Sequence, residues 1–169
     1  DKRRVATVAQ ATLEERVQAG FDRFSPEVAE LYDWAVDISE GHQAADDHFR
    51  DLMAEASGDG AAARDRIREE YKFADFDDPP AVFDSAERSL PYLKTQYDRV
   101  GVIYDGMCRM YRAAGFAIEP AFSRSIVLAI IGAQIWLDDV DDYAADRREG
   151  QLTPVTAEYL LADDDGQAY

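Results

Sequence analysis

The chain has 169 residues, 35 acidic against 18 basic side chains, a formal net charge of −17 and one cysteine. A chain of this length can bury a sizeable core without staples, and the lone Cys108 with two histidines excludes both a disulfide framework and a structural zinc site. Phosphate-backbone binding rests on Lys and Arg, so no nucleic-acid partner is expected.

The elements read as helices almost throughout, because strict apolar/polar alternation is nearly absent and Ala, Leu, Glu and Arg dominate. Thr12 and Glu15 form a capping-box pattern that opens a helix over 12–24. Ser25-Pro26 repeats the start signal with an N-cap oxygen and a first-turn proline, and the helix it opens is expected to run to Ala56. Ser57-Gly58-Asp59-Gly60 ends it, and a third helix covers 61–72.

The stretch 75–80, with two adjacent prolines, reads as an elbow. A segment interrupted near Ser89-Leu90-Pro91 leads into a long helix that Gly115 can close in a left-handed cap. Glu119-Pro120 starts a helix expected to continue to Glu149, with Gly150 at its cap, and Thr153-Pro154 opens a final short one before a frayed tail at 162–169. The expected architecture is one all-α domain, a helical bundle over 1–169. The longest apolar stretch, 126–137, is broken by Gln134 and ends in carboxylates, so no membrane span is expected. The lone cysteine and the lack of a basic leader with an apolar run point to the cytoplasm.

The helix from Pro120 is the most informative. Ile126, Val127, Leu128, Ile130, Ile131, Ile135, Trp136 and Leu137 leave it no polar face, so it is expected to be central and buried all round. At 100° per residue Val127, Ile131, Ile135, Asp138, Asp142 and Asp146 share a stripe, with Asp139 on its edge and Asp141 rotated away. Carboxylates continuing a buried stripe repel one another and are costly to desolvate. At a helix C-terminus they also oppose the macrodipole. A hard divalent cation is the natural compensation, since Mg²⁺ is held by one or two carboxylates together with phosphate oxygens and water.

Asp138-Asp139-Val140-Asp141-Asp142, preceded by Gln134 and followed by Tyr143, Asp146 and Gly150, resembles the second aspartate-rich motif of class I isoprenyl diphosphate synthases. Lys94-Thr95, 44 residues before Asp138, is similar to the Lys-Thr pair of that family's diphosphate-binding apparatus. The resemblance covers roughly residues 90–153. It implies a class I isoprenoid-synthase-like bundle in which two or three Mg²⁺ ions bind an allylic diphosphate. Asp138, Asp139 and Asp142 are then metal ligands, Lys94, Thr95 and Gln134 contact the diphosphate, and Asp138, Asp139 and Lys94 carry the chemistry of prenyl transfer.

The family also has a first aspartate-rich helix facing the second, for which the candidate is Asp46-Asp47-His48-Phe49-Arg50-Asp51. Its third carboxylate stands one residue further on than the family pattern, and the family's Gly-Lys-Arg segment for a second diphosphate is absent. The apolar stripe Val28, Leu31, Ala35, Ile38, Ala45, Phe49, Leu52 places Asp47 and Asp51 on a solvated face, and leaves Asp46 nearer the apolar edge as a further metal ligand. Phe116, Phe122 and Trp136 are candidates to line a hydrocarbon cavity.

His42 and His48 lack the Glu-x-x-His spacing of a di-iron bundle. Arg64, Arg66, Arg68 and Lys72 read as a solvated helix paired to Asp65, Glu69 and Glu70, with a diphosphate or an acidic partner as the other reading. Fifteen of the 18 basic residues are Arg, and 23 Asp outnumber 12 Glu. That balance resembles proteins of salt-accumulating halophiles, in which molar salt screens dense surface carboxylates. The alternative to an enzyme is a non-catalytic acidic helical interaction protein, such as a small or degenerate subunit of a prenyl synthase; a homo- or heterodimer is compatible with either.

Overall fold

The computed structural model describes residues 15, 19–20, 25–58 and 60–162, and every regular element among them is helical. The expected opening helix over 12–24 lies almost wholly outside the described residues, as do 163–169.

Helix α1, Pro26–Ala44, starts as the sequence signals: the Ser25 hydroxyl accepts from the Val28 amide at 3.3 Å. It does not continue to Ala56. The helix is interrupted at Ala45, whose amide donates to the carbonyls of both Gly41 and His42, and α2, Asp46–Ala56, follows. Gly41 weakens the helix just before the break, while Asp46 and Asp47 occupy a first turn that favours carboxylates.

Helix α3 comprises Ala61–Arg66 and a π-helical stretch, Ile67–Lys72. The elbow at 75–80 has no regular structure, and a short 3₁₀ turn, Glu87–Ser89, precedes α4. Helix α4 runs without a break through Leu93–Gln96, a π stretch Tyr97–Gly101, and Val102–Ala113. Its start is held by Tyr92, a non-glycine residue at φ 63°, whose amide donates to the Lys72 carbonyl at 2.6 Å.

Helix α5 comprises Pro120–Ala133 and a third π stretch, Gln134–Asp139. The expected continuation to Glu149 is interrupted at 140–142, after which α6, Tyr143–Glu149, ends on Gly150 at φ +71°. Helix α7, Pro154–Ala162, is capped reciprocally. The Thr156 amide donates to Thr153 Oγ1 at 3.3 Å and the Thr153 amide to Thr156 Oγ1 at 2.7 Å.

Two apolar clusters organise these helices. Leu52 and Met53 of α2, Ile67 and Tyr71 of α3, and Leu160 and Leu161 of α7 form one. Ala35 of α1, Tyr97 and Val102 of α4, Val127 and Ile131 of α5, and Phe83 form the other. Tyr71 and Tyr97 anchor them through buried hydroxyls, one donating to the Leu152 carbonyl at 2.9 Å and the other to Asp105 at 2.8 Å.

One expectation is overturned here. Helix α5 is not buried all round: Ser123, Val127, Ile131 and Asp139 are its buried residues, whereas Phe122, Trp136 and Leu137 are 52%, 74% and 75% exposed. The helix lies against α4 on one side and presents an apolar outer face. By length and composition alone, Pro120–Asp139 is also apolar enough to cross a membrane.

Candidate functional site

The three π stretches supply the polar groups that meet where the two clusters adjoin. Each π turn is one residue wider than an α turn, and the three carry Tyr71, Arg99 and Asp139 respectively. The extra residue in α5 shifts the buried stripe. After Val127, Ile131 and Ile135 it continues to Asp139, which is 1% exposed, while the Asp138 side chain is 53% exposed and Asp142 faces solvent. The 100° projection had placed Asp138 and Asp142 inside and Asp139 on the edge, so the π turn exchanges their roles.

Arg99 meets the buried carboxylate. Its Nη1 donates to Asp139 Oδ1 at 2.8 Å and its Nη2 lies 3.8 Å from Asp138 Oδ2, while Gln134 hydrogen-bonds to Asp138. Asp139 Oδ2 is buried and has no hydrogen-bond partner among the described residues. Burial raises the Asp139 pKa above the ordinary carboxylate value, against the opposing pull of Arg99. Asp146 is raised too, by burial and then by Asp139 and Asp142, which places these carboxylates in one another's field. Burial pulls the Arg99 pKa down, but the hydrogen bond to Asp139 and its charge push it up further.

Asp46 approaches from the other side. With Arg99, His42 and Tyr71 it lines a cavity of about 220 Å³ between α1, α2 and α4. Asp47 and Asp51 face solvent, as the stripe argument requires. His42 and Phe49 also line a larger cavity of about 680 Å³, together with Lys94, Thr95, Trp34, Phe76 and Tyr97. Burial lowers the His42 pKa, so a largely neutral imidazole is shared by the two cavities. Arg109 closes one wall of the larger cavity, stacked 4.3 Å from the Trp34 ring and paired with Asp105 at 2.8 Å.

Lys94 pairs with Asp98 on this wall. The Thr95 hydroxyl is turned inward, 3.3 Å from the Tyr71 carbonyl and 3.2 Å from that of Tyr92, so its bonding serves the junction between α3 and α4. Thus Asp46, Lys94 and Thr95 line the two cavities, Asp138 and Asp139 meet Arg99, which lines the smaller one, Gln134 bonds to Asp138, and Asp142 stands outside. The aromatic candidates Phe116, Phe122 and Trp136 line neither cavity: all three are exposed, since α5 is an outer helix and Phe116 follows the end of α4. Trp34, Phe49, Phe76 and Tyr97 are the apolar walls instead.

The donor chemistry fits a hard cation in part. Asp139 offers a buried unpartnered oxygen and Asp138 a half-exposed one, and Mg²⁺ needs only one or two carboxylates when phosphate and water complete its shell. Among the described residues, however, no three His, Cys, Asp or Glu side chains converge as ligands of one ion. Arg99 supplies the positive charge there. The sequence reading missed it, although Thr95 and Arg99 are four residues apart on one helix face and a buried Asp139 requires a counter-charge.

The chain matches no protein-family model, no curated protein and no solved structure. The reading of the site therefore rests on its residues.

Proposed function

We propose that this protein binds an allylic prenyl diphosphate with Mg²⁺, in the manner of a shortened class I isoprenoid synthase, and that prenyl transfer is its activity. The observation that carries the reading is the buried oxygen of Asp139, unpartnered among the described residues, beside Asp138 and linked through Arg99 to the cavity that Asp46 lines; Lys94 and aromatic rings line the larger cavity. Asp138 and Asp139 would hold the metal. Bound there, it would supply Lewis-acid stabilisation of a diphosphate leaving group.

The chain's own groups complete the task. Lys94 contributes a cation on the wall of the larger cavity, where it can trade Asp98 for a diphosphate oxygen. Trp34, Phe49, Phe76 and Tyr97 offer the hydrocarbon a wall that excludes water. Arg99, hydrogen-bonded to Asp139 at 2.8 Å and 3.8 Å from Asp138, holds the two carboxylates together beside the cavity that it shares with Asp46. A volume near 680 Å³ falls within the range of about 300–1,000 Å³ typical of small-molecule sites.

Calorimetry with Mg²⁺ and inorganic diphosphate in molar KCl tests this on the wild type and on Asp138→Asn/Asp139→Asn. The expected result is Mg²⁺-dependent diphosphate binding that the double substitution abolishes. Absence of binding, or binding indifferent to the substitutions, overturns the reading. A second reading, a non-catalytic helical interaction protein, is favoured by one observation: the exposed apolar face of α5 bearing Phe122, Trp136 and Leu137, with Val140 just past its end. Exposed apolar surface of this extent marks association sites in other proteins.

A further inference from the structure

A third cavity, of about 420 Å³, lies where the end of α2, the start of α3, α6 and α7 meet. Two guanidinium groups, Arg64 and Arg147, line it with the hydroxyl-bearing Ser57, Tyr143, Thr156 and Tyr159, and among the described residues no carboxylate does. In a chain with 35 acids and 18 bases this balance is unusual; the cavities described above contain Asp98 or Asp46 among their walls.

Neither guanidinium has an acidic partner among the described residues. Among the described residues Arg64 donates only to two carbonyls at the C-terminal end of α2, to Ala56 at 3.4 Å and Gly58 at 3.3 Å, and its Nε is buried without a partner. Its helix neighbours behave otherwise: Arg66 pairs with Glu70 and Arg68 with Asp65, both at 2.9 Å. Arg147 stacks 4.3 Å from the Tyr159 ring, whereas the adjacent Arg148 reaches Glu149 at 3.5 Å. The cavity floor is apolar, formed by Met53, Ala56 and Leu160.

Guanidinium forks match phosphate oxygens, and such charge-assisted bonds are about twice as strong as neutral ones. A body of net charge −17 repels anions in general, so an anion is held only where local cations are unopposed. We propose that this cavity binds a phosphate-bearing small molecule, with its phosphate on Arg64 and Arg147 and its organic part against the aromatic and apolar walls. The site requires no metal and does not depend on the Asp138–Asp139 reading.

Phosphorus NMR titration and calorimetry in EDTA test it, with phenyl phosphate, inorganic phosphate and benzoate as separate probes. The KCl concentration should be the lowest at which the far-ultraviolet spectrum remains helical. Phenyl phosphate is expected to bind more tightly than inorganic phosphate, because the phosphate sets affinity and the ring adds apolar contact. Arg147→Gln, a change at an exposed side chain, should weaken binding at least about tenfold, the loss of a charge-assisted contact. Arg147→Lys should retain part of it, and Asp138→Asn/Asp139→Asn should leave it unchanged.

Inorganic phosphate binding as tightly as phenyl phosphate would remove the organic part of the proposal. Benzoate binding as tightly as phenyl phosphate would overturn the assignment to phosphate. No saturation by phenyl phosphate at about 10 mM, which is weaker than about −3 kcal/mol, or an unchanged affinity in Arg147→Gln, would overturn the site.

Discussion

Arg99 is the residue on which the candidate site turns. It is the cation hydrogen-bonded to a carboxylate with 0% side-chain exposure, Asp139, and its own side chain is 27% exposed. Removing one partner of such a pair leaves a buried charge uncompensated, which costs on the order of 3 kcal/mol. Arg99→Gln should therefore lower stability by that order in metal-free buffer, as read by urea denaturation. If Asp138 and Asp139 take up a cation, millimolar Mg²⁺ should restore much of the loss and stabilise the variant more than the wild type, because binding to the native state alone shifts the unfolding equilibrium. Equal responses of the two proteins to Mg²⁺ would mean that the pair is an ordinary buried salt bridge. Adding Asp139→Asn to Arg99→Gln should remove the extra Mg²⁺ response while relieving the buried charge.

Helix packing tests the same junction at the scale of elements. Gly101 ends the π stretch of α4, and a Cβ placed there would lie 3.1 Å from Ile131 Cδ1 and 3.3 Å from Val127 Cγ1 of α5. At Gly132, on α5 itself, nothing stands within 4 Å of such an atom. Gly132→Ala should stabilise by about 0.5–1 kcal/mol through helix propensity. Gly101→Ala should lose about 1 kcal/mol or more, since overpacking outweighs that gain. Denaturation midpoints of opposite sign check the close approach of α4 and α5; a gain at both positions would contradict it.

The helices themselves were legible in the sequence because their punctuation is local: Ser25-Pro26, Gly115, Glu119-Pro120, Gly150 and Thr153-Pro154 each act through their own backbone. The π stretches were not legible, because a 3.6-residue projection carries no term for one extra residue in a turn. That single residue decides that Asp139 rather than Asp138 is buried. The break at Ala45 and the exposure of α5 were hidden for a different reason: both depend on which helix lies alongside, and periodicity reports only that a face is apolar. Within the site, Asp46, Lys94 and Asp138–Asp139 could be nominated from residue type and spacing. Arg99, by contrast, is recognisable only once the carboxylate it neutralises is seen to be buried.

At the scale of the whole molecule, the net charge of −17 and the apolar face of α5 act against each other. Phe122, Ala129, Trp136 and Leu137 are exposed along this helix and Val140 just past its end, a surface that gains by association. Two copies approaching through it bring two strongly acidic bodies together, and their repulsion extends over a Debye length of about 10 Å at 0.1 M salt but only about 3 Å at 1 M. An antiparallel pairing of α5 with α5 suits the charges best. It sets the acidic end at 138–142 beside the partner helix's first turn, which carries the positive end of the macrodipole and has Glu119 at the N-cap as its nearest acid. Self-association should therefore strengthen with KCl, the reverse of a contact held by surface ion pairs. Sedimentation velocity across a KCl series should show a rising dimer fraction in the wild type and a monomer throughout in Trp136→Glu/Leu137→Glu. A wild type that stays monomeric at molar KCl would leave the α5 face without a role in self-association, whereas a dimer that dissociates as KCl rises would show that ion pairs hold it.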